Sequence, residues 1–193
     1  MIIANANRKR IIANPVVYNL GLTAALISVP AQNSSVWTLR SADISQYIGA
    51  TARLVIRYLG GSSYTGDVQF DDFTIGSTFY DPNVGTNGFE RNNVAGTISD
   101  YSLVTWSALT TATSGGGLFL RDTSGTSSGS TGLTSGHTGT YYYYAESSSP
   151  GYPSKYFWLR SPEVEITNGT LSFWSAQYGA TCGAFEAYLD IIS

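Results

Sequence analysis

Hydrophobic residues recur at every second position in several stretches of the chain, and nowhere at the three-to-four spacing of an amphipathic helix. Residues 53–59 put Leu54, Ile56 and Tyr58 on one face and Arg53 and Arg57 on the other, the alternation of a half-buried strand. Residues 185–191 repeat it, with Phe185, Ala187, Leu189 and Ile191 opposite Glu186, Tyr188 and Asp190. Further strands are predicted at 118–120, 141–144, 156–159 and 169–174. From 67 to 75 the apolar positions are even before Asp71-Asp72 and odd after it, which predicts a bulge or a strand end and so sets two adjacent carboxylates at a sheet rim. The apolar segment 16–29, broken by Asn19 and Gly21, is read as one or two strands, because periodicity alone does not separate these. Turn signals separate the runs: Gly60-Gly61-Ser62-Ser63, Asp81-Pro82-Asn83 and Asn87-Gly88. Residues 124–139, rich in Ser, Thr and Gly, read as a long surface loop too polar to contribute core. Many short strands with turns between them predict an all-β sandwich.

Composition narrows this further. The 193 residues, 42% of them hydrophobic, suffice for one substantial core, so residues 15–193 are read as one domain and 1–14 as an N-terminal arm. Charged residues are 12%, about half the usual ~25% share, which favours sheets with polar loops over long surface helices. A net charge of -3 supplies no basic field for phosphates, so nucleic acid is not expected as a partner. Arg8, Lys9 and Arg10 form the one basic run, a candidate partner-binding segment on the arm. The sole cysteine, Cys182, excludes an intramolecular disulfide and is expected to be buried or inert. Charges following a short apolar start are the reverse of a secretory signal, and no apolar run approaches the ~20 residues of a membrane span. The expectation is a soluble, unprocessed chain without a membrane partner.

Two blocks carry a family resemblance. The first runs from Ala52-Arg53-Leu54-Val55-Ile56-Arg57-Tyr58 through Gly60-Gly61-Ser62-Ser63 to Gly66-Asp67-Val68-Gln69-Phe70-Asp71-Asp72-Phe73. The second opens at Gly88-Phe89-Glu90, passes Asp100-Tyr101 and His137-Thr138-Gly139, and closes with Leu171-Ser172-Phe173-Trp174-Ser175-Ala176-Gln177-Tyr178-Gly179. The first resembles the last two strands of a MAM domain, an extracellular adhesion module, with its Gly-Asp-x-x-x-Asp-Asp ending. The second resembles the Phe-Glu opening of that family and its Leu-x-Phe-Trp-x-x-x-Tyr-Gly strand. Their order is exchanged here. The resemblance implies a jelly-roll β-sandwich of two antiparallel sheets, circularly permuted, with the old ends joined through residues 77–87. Two half-domains, each completed by a neighbouring subunit, would fit the same pattern.

Candidate chemistry is sparse. His137, the only histidine, sits in a polar loop without a nucleophile motif, so no catalytic residue is assigned. Glu163 and Glu165 share a strand face, where solvation accounts for them better than glycosidase chemistry. A permuted sandwich would bring Asp71 and Asp72 near Glu90, with Asp100 a further ligand, to hold one structural calcium ion; related jelly rolls keep a cation at such a place, with the matching Glu and Asp as ligands. The tyrosines at 141–144, with Tyr152, Tyr156, Phe157 and Trp158, are expected mainly as core and interface packing, with sugar stacking as the alternative. The functional expectation is a non-enzymatic phage virion protein. It would be a capsid-decorating or head-associated protein or a tail-fibre module, contacting other virion proteins and copies of itself as a homo-oligomer. The alternative is a carbohydrate- or receptor-binding adhesion module at a bacterial or extracellular surface, with a surface glycan as partner.

Overall fold

The computed structural model describes residues 18–111 and 116–193. The arm at 1–14, with Arg8, Lys9 and Arg10, lies outside the described residues. Fourteen strands follow in order: β1 Gly21–Leu22, β2 Ile27–Val29, β3 Ser34–Asp43, β4 Thr51–Leu59, β5 Val68–Ile75, β6 Thr78–Tyr80, β7 Glu90–Asn92, β8 Trp106–Ala108, β9 Leu118–Thr123, β10 Tyr141–Glu146, β11 Tyr156–Arg160, β12 Val164–Glu165, β13 Thr170–Gln177 and β14 Ala184–Ile191. Short 3-10 turns at Ser45–Tyr47 and Tyr101–Leu103 are the only helical pieces among the described residues.

Two antiparallel sheets pack as a sandwich. One has the order β1-β14-β4-β11-β7-β8, with β2 also on β14 and β12 also on β4; the other runs β3-β13-β5-β10-β9, with β6 on β5. The ambiguous segment 16–29 thus supplies two short strands, both added to β14. The two blocks of sequence interleave within one chain. β4 pairs with β14 over eight residues, from Ala184↔Leu59 to Ile191↔Ala52, and β5 pairs with β13. Leu54, Ile56 and Tyr58 of β4 share one buried cluster with Phe70 and Phe73 of β5, Leu171 and Phe173 of β13, and Phe185, Ala187, Leu189 and Ile191 of β14. These are the faces that alternation selects.

Aromatic rings fill the centre. Phe70 stands 5.0 Å from Phe185 and 5.8 Å from Phe173, and Phe73 stands 5.1 Å from Phe89. Each such ring contributes about 1.5–3 kcal/mol by leaving water, with further gain from edge-to-face geometry.

The register change in β5 is a bulge, as its sequence predicts. Asp71 faces Trp174 and Thr74 faces Ser172, so Asp72 and Phe73 together oppose Phe173, and Asp72 takes φ 49°. The expected location needs correcting. β5 is a central strand, with β13 on one side and β10 on the other, so the two carboxylates lie mid-strand and buried rather than at a rim. Residues 124–139 form a surface loop that adds nothing to the hydrophobic clusters, as expected, and the loop lies over the outer face of this sheet. Beneath it Leu120, Tyr142 and Tyr144 form a second buried cluster with Trp37 against them. On the opposite side of the sandwich, Val55, Val104, Trp158 and Tyr188 form a third, and the Trp158 indole N–H donates to Ile98 O at 2.9 Å.

Because Ile56 and Phe173 enter one core from different blocks and different sheets, Ile56→Ala and Phe173→Ala should each lower the same cooperative unfolding transition. The cost is about 2–5 kcal/mol each, through lost burial and the cavity left behind. Urea denaturation followed by tryptophan fluorescence checks this. Two transitions, each sensitive to one substitution, would show that the blocks fold apart.

Candidate functional site

The outward side of β5 is polar where its neighbours are aromatic, and three of its polar side chains, Gln69, Asp71 and Asp72, grip the covering loop. Gln69 exchanges two hydrogen bonds with Leu133: its Nε2–H donates to Leu133 O at 3.0 Å, and Leu133 N–H donates to Gln69 Oε1 at 2.5 Å. Asp71 Oδ2 accepts the backbone N–H groups of His137 at 2.6 Å and Thr138 at 3.2 Å, while its Oδ1 accepts Asp72 N–H at 2.8 Å. Asp72 Oδ2 lies 2.7 Å from His137 Nδ1, and its Oδ1 accepts the Thr138 hydroxyl at 2.6 Å. The bulge makes this possible, since an unbroken alternation would turn residue 72 toward the phenylalanines.

His137 is the residue whose role its sequence context concealed. Its ring stacks on Trp174 at 3.7 Å between centroids and 12° between planes, with Trp37 edge-on at 6.5 Å. The backbone reaches Asp71 because residue 136 is glycine: a Cβ there would stand 2.7 Å from Asp71 Oδ2. Burial, and then the neighbouring Asp72 carboxylate, push the Asp71 pKa up to about 7.

The third carboxylate of the cluster is Asp81, from the Asp81-Pro82-Asn83 turn. One oxygen from each of Asp71, Asp72 and Asp81 falls within 4.8 Å of the others. Asp81 Oδ1 accepts the Asn83 N–H and side-chain amide, both at 2.7 Å. Asn83 in turn receives Thr140 N–H and Tyr141 N–H and donates to Thr138 O, which ties this turn to the covering loop. Glu90 and Asp100 are not brought here. Glu90 lies on β7 in the other sheet, where Arg160 Nε meets its Oε2 at 2.6 Å. Asp100 caps the turn Tyr101–Leu103, accepting Ser102 N–H at 3.0 Å and its hydroxyl at 2.8 Å, which hold its carboxyl below the usual range.

Chemically, the four oxygens of Asp71 and Asp72 in this cluster of three carboxylates already face hydrogen-bonding partners. His137 and Asp72 have the geometry of a base and its orienting acid. Among the described residues, however, no serine, threonine or cysteine hydrogen-bonds the other imidazole nitrogen, which a nucleophile would require. Elsewhere Glu163 pairs with Arg53 at 2.5 Å, and Cys182 is buried with its thiol on Asp67 O at 3.1 Å. Burial, and then Asp67, push that thiol up to about 12.

No family model matches the chain, and no solved structure matches it.

Two outcomes test this construction. His137→Ala should cost about 1–3 kcal/mol in urea denaturation, because the buried Asp72 carboxylate loses a hydrogen-bond partner and Trp174 its stacking partner. The second concerns pH. A carboxyl that holds its proton more tightly when folded contributes most below its unfolded pKa of about 4, and that contribution is lost as pH rises toward about 7. Stability measured across this window should therefore fall with pH, and the slope should shrink in Asp71→Asn. An unchanged slope would show that Asp71 titrates as an ordinary aspartate.

Proposed function

We propose that the chain is a non-catalytic structural module of a phage particle, a capsid-decorating or head-associated protein or a tail-fibre module, working through contacts with other virion proteins and with its own copies. The observation that carries the contact reading is the β3 edge. Among the described residues this ten-residue strand pairs with β13 on one side only, and Val36 and Leu39 on it are 63% and 51% exposed. An edge strand presents a row of N–H and C=O groups to which another chain can add, with exposed apolar side chains supplying contact. The particle setting is supported by composition: few charges, one cysteine, and polar Gly, Ser and Thr loops. The MAM-like blocks, in permuted order, support an adhesive jelly roll. Residues 1–14, with Arg8, Lys9 and Arg10, belong to the same reading as an arm that orders on a neighbouring subunit.

A groove favours a second reading, a carbohydrate- or receptor-binding module. It encloses about 430 Å³ on the β14-β4-β11 sheet, lined by Val29, Arg57, Leu59, Tyr156 and Glu186 among others. Arg57 pairs with Glu186, and its guanidinium lies 5.7 Å from the ring centroids of Tyr156, Trp158 and Tyr188. Of these rings Tyr156 lines the groove, and an aromatic ring beside a charged pair suits a polyol ligand.

Leu39→Lys, and separately deletion of residues 1–14, should weaken self-association in sedimentation velocity and binding to purified capsids. Both should leave the unfolding free energy within about 0.5 kcal/mol of its starting value, since Leu39 is exposed and residues 1–14 are read as an arm. A monomer that ignores capsids but binds a glycan, and loses it in Arg57→Ala, would overturn the virion reading in favour of the second.

A further inference from the structure

A second acidic group lies at the other end of the covering loop. Asp67 immediately before β5 and Glu146 at the end of β10 are fully buried, and Asp122 near the end of β9 is almost so. No described Lys, Arg or His forms an ion pair with any of the three. Backbone amides satisfy one oxygen of each: Ser147 N–H donates to Asp67 Oδ1 at 2.8 Å, Ser148 N–H to Glu146 Oε1 at 2.9 Å, and Thr123 N–H to Asp122 Oδ1 at 2.7 Å. Glu146 Oε2 accepts the Ser127 hydroxyl and, at 3.3 Å, the Tyr144 hydroxyl.

Asp67 Oδ2 accepts nothing. Among the described residues it is one of two buried side-chain N or O atoms without a hydrogen bond. The hydroxyls of Thr126 and Thr131 come up to this carboxylate from the loop. They also bond within the loop: Thr131 Oγ1–H donates to Ser128 O at 2.7 Å, Thr126 Oγ1–H to Thr131 O at 2.9 Å, and the two hydroxyl oxygens lie 2.6 Å apart. Burial, and then the Glu146 charge, disfavour the ionised Asp67. Two buried carboxylates without a counter-cation, one of them with an oxygen that accepts no hydrogen bond, are costly unless a cation neutralises them. The Asp71–Asp72 pair differs in having His137 and backbone amides to answer its charge.

We infer that Asp67 and Glu146, with the hydroxyl oxygens of Thr126 and Thr131, bind a hard divalent cation of the calcium class, which clasps residues 124–131 to β5 and β10. Calcium takes six to eight oxygen ligands in flexible geometry, whereas magnesium demands a tight octahedron and keeps its waters. The absence of nitrogen or sulfur from the set disfavours zinc and copper. The site is distinct from the one expected at Asp71, Asp72, Glu90 and Asp100.

The test uses the full chain, stripped with chelator and titrated with calcium chloride while thermal unfolding is followed. One equivalent should bind, and at about 100-fold over the dissociation constant the midpoint should rise by roughly 5–10 °C. Terbium bound in its place should luminesce on excitation of tyrosine, since Tyr144 bonds Glu146 directly. Asp67→Asn should lose both responses, while Asp72→Asn keeps them. If Asp67→Asn fails to fold, Thr131→Val gives the same reading without altering buried charge. No calcium-dependent shift would overturn the proposal and leave Asp67 held neutral by a proton. A response kept in Asp67→Asn or Thr131→Val but lost in Asp72→Asn would overturn it in favour of the other cluster.

Discussion

The bulge at Asp71-Asp72 is the constraint on which the rest of this sandwich depends. β5 runs through the middle of its sheet, and its inward residues Phe70 and Phe73 meet Phe173, Phe185 and Phe89 at the centre of the core. In a regular strand, residues 70 and 73 could not both face inward, because their spacing is odd. One extra residue, at φ 49°, resolves this by bringing Phe73 back to the core and turning Asp72 to the same side as Asp71. A carboxylate left pointing into phenylalanines would cost several kcal/mol, more than the strain of one left-handed residue. The bulge thereby makes the hydrophobic centre and, on its reverse, the polar row that holds the loop.

That reverse side explains how a 16-residue polar segment can act as a structural layer. Residues 124–139 carry few apolar side chains, so they cannot be held by burial of their own surface. They are held instead by the bonds Gln69 exchanges with the Leu133 backbone, by the His137 and Thr138 N–H groups that donate to Asp71, by the Thr138 hydroxyl and His137 ring on Asp72, and by the stack of His137 on Trp174. The tyrosines beneath contribute from the other side: the Tyr142 hydroxyl accepts Gly125 N–H at 3.0 Å. Excluding water from these bonds strengthens each of them, and the loop and the polar row thus sustain one another.

Alternation made much of the fold legible. Leu54, Ile56 and Tyr58, and Phe185 through Ile191, point inward as their period dictates, and the shift from even to odd positions across Asp71-Asp72 marks the bulge. What the sequence could not convey was which strand is central. Two adjacent aspartates look like a rim because carboxylates are usually solvated, and only the pairing of β5 on both sides shows that they are covered. The polarity of 124–139 rightly marks a surface loop, but composition reports what a segment is made of and not what it lies on. Tyr142 and Tyr144 held a usable signal. A strand whose successive tyrosines are all buried must be covered on both faces, and a long polar loop ends just before it. Asp81 was visible only as a turn residue, because its approach to Asp71 is made by tertiary contact.

Covering both faces of a sheet restricts where a partner can bind. Leu120, Tyr142 and Tyr144 lie under the loop on one side, and Val55, Trp158 and Tyr188 lie under residues 98–106 on the other, so broad stretches of both sheets are removed from contact with large partners. The remaining surfaces are the groove beside Arg57, the loop tips and the edges. Of the edges, β9 is bridged by Thr111 to Arg121, and β1 and β2 are only two and three residues long. β3 is the longest strand in either sheet and has one side unpaired. Natural sheets blunt such edges with charge, and this one carries Arg40 and Asp43 only toward its end. Arg40 is itself engaged, its Nε–H donating to Ser175 Oγ at 3.0 Å. Residues 34–39, with Val36 and Leu39 exposed, therefore have no charged side chain to repel an added strand and, among the described residues, no covering segment to exclude it. That is the physical reason for placing the contact surface of the module there.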